Sequence, residues 1–337
     1  MSKKWPDGII TPTPATPTGP YQDGSAKGIW TLSQQAYWLK QGLWPIAGNA
    51  PPVGLIGGNS SITNSIQYLS LVTTGNSTNF GDLSVARITL ASCSSVTRAV
   101  FGGGDSGGYS NVIDYTTFTT TGSSTDFGDL TVARYQFAGC SSSTRGLFGG
   151  GTTGVNSCVI DYITIASTGN ATSFGNLTSA INQNSSCSSP TRGIWGGGYN
   201  GSVALNTINY VTIGTTGNAV SFGSLTVGRR NLAACSSSTR GVFAGSDGGV
   251  SSVVDYITIA TTGNATSFGN MVSPFGELSA CSSSTLGIWA GGANGVGVRQ
   301  STIQYVTIAT TGNTTSFGNL ITARSNTAAC SNVHGGL

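Results

Sequence analysis

A tyrosine returns six times along this chain, at Tyr68, Tyr115, Tyr162, Tyr210, Tyr256 and Tyr305, at intervals of 47, 47, 48, 46 and 49 residues. Other positions keep step with it. A phenylalanine recurs at Phe80, Phe127, Phe174, Phe222, Phe268 and Phe317, and a cysteine at Cys93, Cys140, Cys187, Cys235, Cys281 and Cys330. A further aromatic, before a small-residue pair, recurs at Phe101, Phe148, Trp195, Phe243 and Trp289. A period in the upper forties matches one four-stranded propeller blade, because each such unit buries its apolar faces only against its neighbours. Six units therefore predict an all-β, six-bladed β-propeller over residues 53–337.

Residues 87–133 show how one unit divides. Ile88–Ser94 is small and weakly polar. Arg98–Gly102 is apolar and runs into glycines. Asn111–Thr119 alternates, with Ile113, Tyr115 and Thr117 on one side and Val112, Asp114 and Thr116 on the other, which is the strand period. Asp126–Leu130 is a short fourth strand. These strands are named a, b, c and d from the centre outward. The last unit stops after its strand a, and the first, at Val53–Gly58, begins with a strand b. A C-terminal strand a should therefore complete the first blade beside the N-terminal strand b, leaving only short outer edges.

The order of a segment such as Arg134–Gly151, followed by Tyr162, Phe174 and Leu177, resembles the kelch repeat, and the resemblance covers residues 53–337. Phe stands where kelch repeats usually carry Trp, and Ile181 and Phe275 stand where the other units have Arg. The resemblance implies the fold, and a fold carries no function with it. A narrower resemblance points further. Tyr256–Asn270 and the segment Gly28–Pro45 are similar to stretches of structural proteins of tailed bacteriophages, marine ones especially. That likeness implies a virion component, in a tail, a fibre or another external appendage. It would be made in the host cytoplasm, present in several copies and in contact with other virion proteins.

Loop lengths carry the functional signal. Tyr to Phe is always 12 residues, Phe to Cys 13, and Cys to the following aromatic 8. All variation lies in the b–c connection, and insertions confined to one loop per repeat map to one face, often the binding face. Candidate ligand-binding residues there are Asp105, Tyr109, Tyr199, Asn200, Asp247, Asn294 and Arg299. The competing reading is that these are freely drifting surface turns. Arg98, Arg145, Arg192 and Arg240 recur at the a–b turn. They are expected either to form a basic crown or, more in keeping with their repetition, to pair with backbone carbonyls or with Asp114, Asp161 and Asp255. The six repeated cysteines sit too far apart in a ring for disulfides and read as small buried hydrophobes. Cys158 is left unpaired.

Residues 1–52 differ in composition and read as an N-terminal arm. Thr11–Pro20 is a Pro-rich spacer. Thr31–Gln34 has the form of a capping box, predicting a short helix over 32–41 that Gly42 ends. Trp30, Tyr37, Trp38 and Trp44 make this segment a candidate anchor that docks on a neighbouring chain or folds back on the propeller. Closure at an a–b junction should bring the arm out opposite the b–c loops.

Other classes find little support. Charged residues are 7% of the chain and net charge is +3, so there is no basic face for nucleic acid. No stretch has the length and apolarity of a membrane span, and Met1–Gly8 lacks a signal peptide's apolar core. One histidine, His334, cannot build a His triad or a multi-His metal site, and the cysteine spacing is wrong for metal. The expectation is a protein that is not an enzyme, with no cofactor and no metal. Two readings remain: a virion structural protein held by its arm, or a carbohydrate- or receptor-binding propeller that meets a host glycan or receptor.

Overall fold

The computed structural model describes residues 51–246 and 251–337, together with two short strands, Lys4–Trp5 and Gly8–Ile9, that pair with each other. The chain divides into two compact units, Met1–Pro51 and Pro52–Leu337. The predicted helix over 32–41 and the anchor residues Trp30, Tyr37, Trp38 and Trp44 lie outside the described residues, as does Asp247.

The second unit is a propeller of six four-stranded antiparallel sheets. Blade I joins Ala328–Ser331 to Val53–Gly57, Ser65–Ser70 and Thr78–Asp82, so the last strand closes on the first as expected. Blade II runs Ala91–Ser94, Arg98–Gly102, Val112–Thr117 and Thr125–Asp129. Blades III to VI repeat the order, with strands a at Ala138–Ser141, Ser185–Ser188, Ala233–Ser236 and Ser279–Ser282. The six strands a pack against each other around a central channel. No helix occurs among the described residues.

Strand b supplies the packing between blades. Phe101, Phe148, Trp195, Phe243 and Trp289 are fully buried. Most meet a glycine of the previous blade, as Phe148 meets Gly102 and Trp195 meets Gly149, because only a missing side chain leaves room for the ring. The indoles also find acceptors: Trp195 Nε1 donates to Ala138 O at 3.2 Å and Trp289 Nε1 to Ala233 O at 3.1 Å. The buried cysteines fill a similar gap, with Cys93 against Gly146 and Cys187 against Gly241. All seven thiols are free.

The a–b arginines tie blade to blade rather than forming a crown. Arg98 Nη1 donates to Ile165 O at 2.9 Å and Arg192 Nη1 to Ile259 O at 2.8 Å, each in the next blade. Their guanidinium groups lie 4.6 Å above the rings of Tyr115 and Tyr210, within cation–π range. The recurring Tyr is thus a platform for the recurring Arg. The aspartates have other partners. Asp114, Asp161 and Asp255 form buried ion pairs with Arg87, Arg134 and Arg229, the arginines that precede strand a.

The outer rim explains the Phe-Gly pair. Gly169 N donates to Phe127 O and Ala171 N to Asp129 O, so the c–d turn of one blade covers the open edge of the previous strand d. The approach leaves no space for a side chain: a Cβ on Gly81 would overlap the carbonyl of Gly122, and one on Gly318 would overlap that of Gly75. Edges that could otherwise recruit another chain are paired within the ring.

Candidate binding face

Antiparallel alternation puts the b–c loops and the d–a turns on one face, and the a–b and c–d turns on the other. The variable face has a polar mouth that the channel walls build. Two residues before the first residue of strand a, each blade places one polar residue in the left-handed backbone region. They are Thr89, Gln136, Gln183, Asn231, Glu277 and Asn326, with φ between 50° and 58°. Such conformations are costly outside glycine and persist only where surrounding structure holds them. Here the holding contact is a closed hoop. Gln136 N donates to Thr89 O, Gln183 N to Gln136 O, Asn231 N to Gln183 O, Glu277 N to Asn231 O, Asn326 N to Glu277 O and Thr89 N to Asn326 O, at 2.8–3.0 Å.

These six residues ring a cavity of about 130 Å³ at the head of the channel. Below them Leu90, Phe137, Leu232 and Leu278 give the wall an apolar character that Asn184 and Thr327 interrupt. Glu277 Oε2 accepts from Asn326 Nδ2 at 2.8 Å.

The variable loops brace this mouth. Asp105 exchanges backbone hydrogen bonds with Ile88, and Tyr199 with Asn182, residues directly before Thr89 and Gln183. Asn200 Oδ1 accepts from Ser202 N and Val203 N, and Asn294 Oδ1 from Val296 N and Val298 N, so both side chains shape their own loops. Tyr109 stacks on Tyr135 at 5.2 Å, and Arg299 donates to Ser61 Oγ at 2.6 Å. The structure therefore brings Asp105 and Tyr199 to the mouth's supporting layer and leaves Tyr109 on the exposed rim. Val155, Val203, Val296 and Val298 are also exposed on these loops.

At the opposite end, the channel is ringed by a second hoop. The hydroxyl after each cysteine donates to the carbonyl of its counterpart in the previous blade: Ser94 to Ser331, Ser141 to Ser94, Ser188 to Ser141, Ser236 to Ser188, Ser282 to Ser236 and Ser331 to Ser282, at 2.5–2.8 Å. Residues 332–337 fold into it. Gly335 N donates to Ser236 O at 3.0 Å, and His334 Nε2 lies 3.2 Å from both Ser94 O and Ser141 Oγ. Because Gly336 N donates to His334 Nδ1 at 3.0 Å, Nδ1 is the bare nitrogen and Nε2 carries the proton. Enclosure away from water lowers the imidazole pKa to about 4, against the smaller opposing pull of Ser94 O. Burial also pushes the surrounding thiols up, to about 12 for Cys140 and Cys281.

The mouth residues escaped the sequence reading because they share no residue type. A signal was present: each is polar and each lies four residues before the repeated cysteine. The serine hoop escaped because serine is common throughout the chain. Among the described residues, no group of three His, Cys, Asp or Glu side chains is placed to hold a metal ion, and no described helix is long and apolar enough to cross a membrane. No protein-family model matches the chain, and no curated protein matches it.

Proposed function

We propose that the protein is a non-enzymatic structural component of a tailed-bacteriophage virion, anchored through residues 1–52 and presenting the variable face of its propeller to an external partner. The propeller fold suits a binding or protein-interaction module. The observation that carries the reading is one-sidedness. Five blades differ little in their constant turns, while the variation in loop length, the polar mouth and most of the exposed valines gather on one face. The likeness of Tyr256–Asn270 and Gly28–Pro45 to phage structural proteins supplies the setting. The chain enters the ring at Pro52–Val53 on the constant-turn face, beside the strand Ala328–Ser331.

The test is to express residues 53–337 alone and compare it with the full chain. The shortened protein should fold, with the same melting transition, yet fail to join its parent particle. Normal incorporation of the shortened protein would refute the anchor.

A further inference from the structure

We infer that Asn200 and Asn294, on two of the variable loops, are sites of spontaneous deamidation driven by the neighbouring backbone, so that the variable face acquires two carboxylates as the protein ages. The inference goes beyond the reading of that face as the presented one and does not depend on what the face meets.

The reaction is attack by a backbone nitrogen on the side-chain amide of the residue before it. It needs an uncrowded nitrogen, freedom for that nitrogen to lose its proton, and stabilisation of the charge that develops on the amide oxygen. Asn200-Gly201 and Asn294-Gly295 are the two Asn-Gly pairs of the chain, and glycine has no side chain to shield its nitrogen. Both glycines are exposed, and neither Gly201 N nor Gly295 N donates to an acceptor among the described residues. The amide oxygens already sit under donors. Asn200 Oδ1 accepts from Ser202 N and Val203 N, both at 2.9 Å. Asn294 Oδ1 accepts from Val296 N at 3.2 Å and from Val298 N at 2.9 Å. These bonds fold each side-chain amide over the peptide that follows it, and two N–H groups at that range stabilise an oxyanion as a preorganised oxyanion hole does.

The rim asparagines lack one of these conditions. Asn76, Asn170 and Asn218 also accept a backbone N–H through Oδ1. Their following nitrogens are tied: Ser77 N donates to Asn319 O, Ala171 N to Asp129 O and Ala219 N to Asn176 O. A nitrogen held in that way keeps its proton and its place.

The steps balance with water as the one co-reactant. Gly201 N gives its proton to hydroxide and bonds to Asn200 Cγ. The displaced electron pair moves to Oδ1, then returns and expels Nδ2 as ammonia, protonated by water. Water opens the resulting cyclic imide at either carbonyl. One opening gives aspartate, and the other gives isoaspartate, which adds a main-chain carbon to the loop. Gly295 N and Asn294 react alike. Full conversion lowers the net charge from +3 to +1, with both units lost on one face, and so alters the field that a charged partner meets there.

The test incubates the purified full chain for several weeks in neutral buffer and follows it by peptide mass spectrometry and isoelectric focusing. Asn200 and Asn294 should convert to aspartate and isoaspartate while Asn76, Asn170 and Asn218 stay intact, and the isoelectric point should fall. Conversion should quicken as pH rises, because the attacking nitrogen must lose its proton. Both sites should convert at least as fast in the folded chain as in the chain unfolded in urea, where the donors to Oδ1 are lost. Gly295→Ala should slow Asn294 about tenfold and leave Asn200 unchanged. The inference falls if both amides survive, if they convert more slowly folded than unfolded, or if the rim asparagines convert as quickly. The readout is made on isolated protein and arm deletion is read on particle assembly, so either idea can fail while the other stands.

Discussion

At Ile181 and Phe275 the repeat drops its arginine, and the facing position changes with it. Opposite Arg87, Arg134 and Arg229 stand Asp114, Asp161 and Asp255; opposite Ile181 and Phe275 stand Asn209 and Gln304. At these two positions the charge is removed from both sides, whereas Arg324 is kept opposite Gln67 and donates to the carbonyls of Gly58 and Ser65 in place of a carboxylate. Breaking a buried pair on one side strands a charge, whereas replacing both partners can be nearly neutral. Arg134→Ile should therefore cost about 3–5 kcal/mol by chemical denaturation, because Asp161 would remain buried. Adding Asp161→Asn should recover most of the loss. A double variant no more stable than the single one would show that the pairing is not what matters. Thiol chemistry follows the same logic of burial. Six cysteines are buried and Cys158 is partly exposed. A thiol reagent at neutral pH should modify Cys158 rapidly and the other six only after denaturation, as counted by mass spectrometry. Residue-level roles were only partly legible in the sequence. Repetition marked the Arg, Tyr, Phe and Cys positions, but it could not say which Arg met which Asp, since both arginine sets recur with the same period.

The C-terminal segment behaves as an element of its own, a short plug seated in the serine hoop. Its histidine sets a pH window. Above the ordinary histidine pKa of about 6.5 the ring is neutral both docked and free, and seating does not depend on pH. Between about 6.5 and about 4 the free segment takes up a proton that the docked one refuses, so stability falls as pH falls. Protonation at Nδ1 would also remove the acceptor for Gly336 N. An NMR titration should show His334 shifting near pH 4 and the Gly335 amide losing exchange protection over the same range. A midpoint near 6.5 would mean that the segment is undocked in solution. Elements with a clear period were easy to read: the strand b predicted at Arg98–Gly102 is observed there, and strand c is Val112–Thr117 inside the expected 111–119. The plug was not, because six residues carry no period and its contacts lie across the ring from it in sequence.

For the molecule as a whole, closure is the decisive contact. Removing residues 324–337 would take strand a from blade I and open both hydrogen-bond hoops at once. The truncated chain should lose its cooperative thermal transition or associate through the exposed edge, as read by calorimetry and light scattering. A monomeric, cooperatively melting product would show that the seam contributes little. Blade number and seam were legible because they follow from counting strands. The mouth was not, because it exists only where six distant segments meet. The seam also bears on force. Strand b of blade I, Val53–Gly57, lies between Ala328–Ser331 and Ser65–Ser70 and is hydrogen-bonded along both sides. A pull on the chain ahead of Pro52, with the variable face held, would load these two ladders lengthwise. Their bonds would then have to break together instead of unzipping one at a time. Traction on that end meets the ring at the place where two ladders share the load.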